Sequence, residues 1–108
     1  MIKMVASDLD GTLLIGGRQT LPAEIFPLVK ELKKMGILFV AASGRQYANM
    51  RNLFAPVKDE MAFISENGGL AVQNEKLLYC DSFDKELVRE IIQAIWEKPG
   101  AEFSCSTK

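Results

Sequence analysis

The chain has 108 residues, of which 48% are apolar and 25% charged, and a formal net charge of −1. That composition supplies one packed core and a water-compatible surface, and the length suits one small domain or part of a larger one. The near-neutral charge argues against nucleic acid or an anionic membrane as partner, because both favour a basic surface.

The first element is Ile2-Lys3-Met4-Val5-Ala6-Ser7, a short β-compatible run apolar enough to be a buried strand. It ends in Asp8-Leu9-Asp10-Gly11-Thr12. In an extended segment residues i and i+2 point to the same side, so Asp8 and Asp10 are expected to lean toward one site with Leu9 facing away. Two ionised carboxylates held this close repel, and a cation or a shared proton is expected between them. Metal-assisted chemistry on an anionic substrate follows. The plainer reading of the same residues is a strand-ending turn with solvated acids.

Ile15 to Thr20 reads as a loop or small flap. A helix is expected from Pro22 to Met35, because Ile25, Leu28, Val29, Leu32 and Met35 form one apolar stripe. Pro27 fits poorly inside that span: it either kinks the helix or marks a later start. Ile37 to Ala42 is a near-continuous apolar run, as expected of a parallel strand covered on both faces. It delivers Ser43-Gly44-Arg45 to the end of the sheet that carries the aspartates. A second helix is expected from Gln46 to Phe54, with Tyr47, Met50, Leu53 and Phe54 inward and Pro56 as its stop.

Met61 to Ser65 is the third strand. Asn67-Gly68 predicts a tight reversal into Leu70 to Gln73, and Asn74-Glu75 a second one into Lys76 to Cys80. Asp84 is placed to cap a helix reaching Glu97, whose Leu87, Val88, Ile91, Ile92, Ile95 and Trp96 read as core positions. Pro99-Gly100 ends it, and Ala101 to Ser106 alternates like a strand. The order strand, helix, strand, helix, strand implies an α/β fold with a parallel sheet and right-handed crossovers. A small antiparallel extension follows that sheet.

No apolar run approaches the roughly 20 residues that span a bilayer, and the N-terminus shows no secretory leader pattern. Cys80 and Cys105 lack metal-ligand spacing and read as free thiols of a reducing compartment. A cytoplasmic location is expected. With no histidine in the chain, imidazole bases and Ser-His catalysis are excluded and carboxylate chemistry is left.

Asp8-Leu9-Asp10-Gly11-Thr12-Leu13-Leu14 resembles the first motif of the haloacid dehalogenase (HAD) superfamily of phosphatases and phosphotransferases. Ala42-Ser43-Gly44-Arg45 and Ile64-Ser65-Glu66-Asn67-Gly68-Gly69 resemble the Cof-type branch, which carries a large α/β cap. The resemblance implies a Rossmann-like three-layer α/β/α core over residues 1–81, incomplete here, and the opening of a cap over residues 82–108. It also implies a phosphatase of small phosphorylated metabolites that uses Mg²⁺.

On that resemblance Asp8 is the nucleophile that becomes an aspartyl-phosphate, and its side chain is a metal ligand. Asp10 supplies a main-chain carbonyl to the metal, and its side chain is the acid and base, a role that calls for a raised pKa. The amides of Leu9 and Asp10 receive phosphoryl oxygens, the Ser43 hydroxyl binds the phosphoryl group, and Gly44 lets backbone approach it. Arg45 either binds phosphate or pairs with an acid. Asn67 either faces the substrate cleft or only serves the hairpin turn.

The family's third motif, a lysine, and its fourth, an acidic cluster, have no match here, since Lys76, Lys85 and Lys98 stand in the wrong context. The chain is therefore expected to be an N-terminal piece, inactive alone, with a central strand edge that invites self-association. A non-catalytic α/β fragment that binds a partner or metal is the alternative. A phosphomutase, which shares the first motif, is a weaker one.

Overall fold

The computed structural model describes residues 1–100 and residue 102. Five strands form one mixed sheet in the order β1 (Met4–Asp8), β2 (Leu38–Ala42), β3 (Ala62–Ser65), β4 (Leu70–Gln73), β5 (Lys76–Cys80). The first three are parallel and the last two antiparallel additions. The expected α/β core with an antiparallel extension is what the chain forms.

Helix α1 spans Ile25–Lys34, three residues later than Pro22 suggested. Pro27 is then the third helical residue, where its missing N–H lies among the donors that have no intrahelical partner anyway. The helix ends as its sequence promises. Gly36 adopts φ +76°, its N–H donates to the Lys33 carbonyl (3.0 Å), and the Ile37 N–H donates to the Leu32 carbonyl (2.9 Å). This is the Schellman stop, which needs a residue at ease with positive φ.

Helix α2 covers Tyr47–Leu53 and passes into a 3₁₀ segment, Ala55–Glu60, that the sequence reading did not foresee. Pro56 sits in the first turn of that segment rather than beyond all helix. The segment is kept because Val57 and then Met61 are almost wholly buried.

Both β–α–β crossovers step the same way along the sheet, so α1 and α2 lie on the same face. Phe39, Ala41 and Phe63 meet Val29, Met50, Phe54 and Val57 there, with Leu9 and Leu14 closing the upper end. Phe54 is the centre of this layer: its ring lies 6.2 Å from Phe39 and 5.9 Å edge-on from Phe63. Of the residues expected to face inward on α2, Met50 and Phe54 are fully buried, while Tyr47 and Leu53 pack at the margin.

The two reversals differ. Asn74 and Glu75 both take positive φ (55° and 61°) in a two-residue hairpin, as such turns require. The β3–β4 connection is longer than the expected Asn-Gly turn. It runs over Glu66–Gly69 through a single 3₁₀ turn, with Glu66, Asn67 and Gly68 all at positive φ.

Helix α3 (Lys85–Trp96) starts where expected, with the Asp84 carboxylate accepting from the Glu86 N–H at 3.3 Å. Its apolar face corrects the sequence reading. None of its residues is buried, and Trp96 is 74% exposed. Periodicity marks a face able to be buried, and burial also needs a partner surface. The strand expected at Ala101 to Ser106 lies outside the described residues but for Glu102. No helix among the described residues is long and apolar enough to cross a membrane.

Among the described residues β1 pairs only with β2, and Met4 on it and Ile2 just before it are exposed. An uncovered edge carries a row of unpaired backbone groups. The isolated chain should therefore associate as its concentration rises, and a charge placed on that edge by Ala6→Lys should reduce the effect. Sedimentation velocity over a concentration series measures both, and a monomer at every concentration would contradict it. Phe54→Ala should cost about 3–5 kcal/mol, read as a lower urea midpoint.

Candidate active site

The three parallel strands end level with one another. Asp8 pairs with Ala42, and Ala42 with Ile64, so these residues share a face and the loops after them emerge side by side. Backbone bonds then join the loops. The Ser43 N–H donates to the Ile64 carbonyl (2.9 Å), the Asn67 N–H to the Ser43 carbonyl (3.1 Å) and the Glu66 N–H to the Arg45 carbonyl (3.0 Å). An open pocket of ≈ 330 Å³ lies at this corner, lined by Asp8, Ala42, Ser43, Gly44, Ile64, Asn67 and Gly68.

Asp8 closes β1, and its Oδ1 accepts from the Leu9 N–H at 2.8 Å. Among the described residues Oδ2 has no hydrogen-bond partner. Leu9, the first residue past β1, turns inward and is fully buried. Its amide therefore serves the Asp8 carboxylate. Its carbonyl receives the N–H groups of Thr12, Leu13 and Leu14 at 3.1, 2.9 and 2.8 Å. That knot makes the chain reverse at Gly11, whose φ of +84° is a glycine conformation.

Asp10 lies beyond the end of β1, so the i, i+2 rule no longer governs it, and it does not line the pocket with Asp8 and Ser43. It is held by Arg45 instead. Nε donates to Oδ2 at 3.0 Å and Nη2 to Oδ1 at 2.7 Å, while Nη1 donates to Asn49 Oδ1 at 2.7 Å. Of the two readings of Arg45, the structure displays the pairing with an acid. Asn49, one turn on in α2, was not singled out from sequence. Arg45 precedes the helix, so no local helical spacing pairs it with Asn49.

The fork also corrects the expectation of a raised Asp10 pKa. The Arg45 hydrogen bonds hold the Asp10 carboxyl below its ordinary value. A neighbouring cation outweighs the small desolvation of an exposed carboxylate.

Ser43 Oγ accepts from the Arg45 N–H at 3.1 Å, which leaves its O–H free to donate into the pocket. Gly44 packs against Asn67: a Cβ built on it would lie 2.8 Å from Asn67 Oδ1. Asp8, Ser43, Gly44 and Asn67 are thus brought together. Leu9 lies behind them, and Asp10 and Arg45 form a pair beside them.

With this geometry in hand, the comparisons with known proteins decide the lineage. Residues 5–108 match the family model described as haloacid dehalogenase-like hydrolase. The chain belongs to that family. Among curated relatives it is 31% identical to 5-amino-6-(5-phospho-D-ribitylamino)uracil phosphatase YbjI of Escherichia coli, over 94% of this chain and 37% of the relative. It is 33% identical to phosphoglycolate phosphatase 1 of Saccharolobus solfataricus, over 83% of this chain and 40% of the relative. Among solved structures, a HAD-like hydrolase from Bacillus subtilis superposes with a TM-score of 0.70 at 26% identity, over 89% of this chain and 34% of that one. The chain thus spans little more than a third of the length of the proteins it matches.

Removing the guanidinium by Arg45→Gln should let the Asp10 carboxyl rise toward the ordinary carboxylate range. Because the native value is lowered, the fork contributes to stability above the unfolded value and is lost as pH falls through the native one. Titration of the Asp10 carboxyl carbon by NMR reads this directly, and a curve indifferent to Arg45 would show that the fork does not persist in solution.

Proposed function

We propose that this HAD chain carries the nucleophile half of a Mg²⁺-dependent phosphoric monoester hydrolase acting on small phosphorylated metabolites in the cytoplasm. The observation that carries the reading is Asp8 beside Ser43 in one open pocket, with one carboxylate oxygen pinned by Leu9 and the other uncommitted. The named phosphatases among its relatives support the reaction class. Residues 1–81 would be the first part of the core and 82–108 the opening of a cap.

In this reading Asp8 Oδ2 attacks phosphorus. The new O–P bond forms as the bond to the leaving oxygen breaks, and Asp10 gives that oxygen its proton. Water then adds to phosphorus with Asp10 accepting a proton, and Asp8 is released. Asp10 must first part from Arg45, because a carboxylate in that fork holds no proton to give. Ser43 and the Gly44 amide receive phosphoryl oxygens, the Asn67 side chain walls the cleft, and Arg45 governs when Asp10 is available. The Leu9 amide keeps Asp8 in its attacking orientation.

The described residues hold no group of three or more Asp, Glu, His or Cys able to enclose a cation. Mg²⁺ seldom needs one: it takes one or two carboxylates and fills its octahedron with water and substrate phosphate. The exposed Asp8 carboxylate fits that donor type, and with the Asp10 main-chain carbonyl it would hold the ion. Bound there, Mg²⁺ would offset the negative charge that a phosphoryl dianion brings toward Asp8. The chain's match to only 37% of the E. coli relative, with no counterpart of the family's lysine and acidic motifs, motivates a second reading, a non-catalytic chain that binds a partner or metal.

The 108-residue chain should hydrolyse p-nitrophenyl phosphate with Mg²⁺ at or near background, and a protein of its relatives' length carrying this sequence should turn over. In the longer protein Asp8→Asn should lower kcat by about 10³-fold or more. Turnover unchanged by that substitution would remove Asp8 as the nucleophile.

A further inference from the structure

The Glu66–Gly69 connection is costlier than a hairpin needs. The neighbouring β4–β5 hairpin turns with two residues, both at positive φ, whereas this one uses four, with Glu66, Asn67 and Gly68 in succession at φ 52°, 55° and 95°. Left-handed backbone is unfavourable for residues with a side chain, and it persists where surrounding contacts over-determine it. Those contacts are visible here. The Glu66 and Asn67 N–H groups are both tied to the carbonyls of the Ser43-Gly44-Arg45 loop. The strain therefore docks this connection onto the loop that holds Ser43.

Docking places the Asn67 carboxamide against the Gly44 α-carbon. A Cβ on Gly44 would lie 2.8, 3.1 and 3.2 Å from Oδ1, Nδ2 and Cγ of Asn67, so the O/N end of the amide is the part nearest the glycine. The carboxamide fills the space an ordinary side chain at position 44 would take. Among the described residues neither it nor the Gly44 N–H has a hydrogen-bond partner. Both line the pocket with Asp8 and the Ser43 hydroxyl. Three residues that carry unpaired donors thus line one small pocket with the Asp8 carboxylate, and grouped donors of this kind suit an anion.

We infer that Asn67 is a phosphoryl-binding residue, whose side-chain N–H donates to the same phosphoryl group as Ser43 and the Gly44 amide, and that Gly44 is glycine so that this carboxamide can lie over it. The inference rests on the phosphoryl-transfer reading above and adds a ligand to it. A hairpin-only role for Asn67 makes a different forecast, because glycine serves a positive-φ turn at least as well as asparagine.

The test uses the 108-residue chain and inorganic phosphate, at fixed ionic strength and constant Mg²⁺, with affinity read from chemical-shift changes and folding from circular dichroism melts. Asn67→Gly should keep or raise the melting temperature and weaken phosphate binding about tenfold or more, as expected for a lost hydrogen bond to a charged group. Asn67→Asp keeps the shape and replaces the donor with an anion, so it should weaken binding at least as much. Gly44→Ala should weaken binding in the wild-type background by displacing the carboxamide and add little in the Asn67→Gly background, a non-additivity that marks direct contact. Phosphate affinity unchanged in Asn67→Gly, fully additive effects, or no phosphate binding by the wild-type chain would each overturn the inference. Failure of the phosphatase reading has its own signature, turnover indifferent to Asp8→Asn.

Discussion

Parallel pairing of β1, β2 and β3 in one register is the constraint on which the rest depends. Asp8, Ala42 and Ile64 stand in one row, although 33 residues or more separate Asp8 from the other two along the chain. A slip of one residue in either pairing would turn Asp8 or Ser43 to the opposite face. The register is held from beneath. Phe39, Ala41 and Phe63 point into a single aromatic and aliphatic layer with Phe54 and Met50, and such a layer does not tolerate exchanging faces. Packing on one side of the sheet thereby sets chemistry at its end.

The Arg45–Asp10 fork shows why site residues cannot be assigned roles from type and position alone. An acid catalyst needs a proton near neutral pH, and a carboxylate gripped by a guanidinium gives its proton up. The two demands agree if the fork describes the protein before substrate arrives. Arg45 is well placed for such a part, since its own N–H sits on Ser43 Oγ while its side chain spans Asp10 and Asn49. One residue so links the loop that lines the Asp8 pocket to the carboxylate outside it.

Large apolar surface remains uncovered. Among the described residues β1 is an open edge, Met4 and Ile64 are exposed on the sheet face opposite α1 and α2, and Leu87 and Ile91 of α3 are exposed. These features belong together with the chain's coverage of 37% of the E. coli phosphatase it resembles. Soluble domains seldom leave contiguous apolar faces open without a partner for them.

The sequence by itself determined the element types, the order of the three motifs and the family. Hydrophobic period, proline and glycine punctuation and the Asp-x-Asp-Gly-Thr run are local signals, and local sterics read them the same way in any context. It also carried the Asp84 cap, the Gly36 stop and the inward turn of Leu9. Tertiary structure decided the pairing of Arg45 with Asp10 and Asn49, the departure of Asp10 from the Asp8 pocket, the 3₁₀ segment under Val57, and the seating of Asn67 over Gly44. Each of these depends on groups distant in sequence meeting at one place, or on a chain segment following a packing surface, and no local period encodes that. The same reason explains α3: its apolar stripe is legible residue by residue, whereas burial is a property of two surfaces.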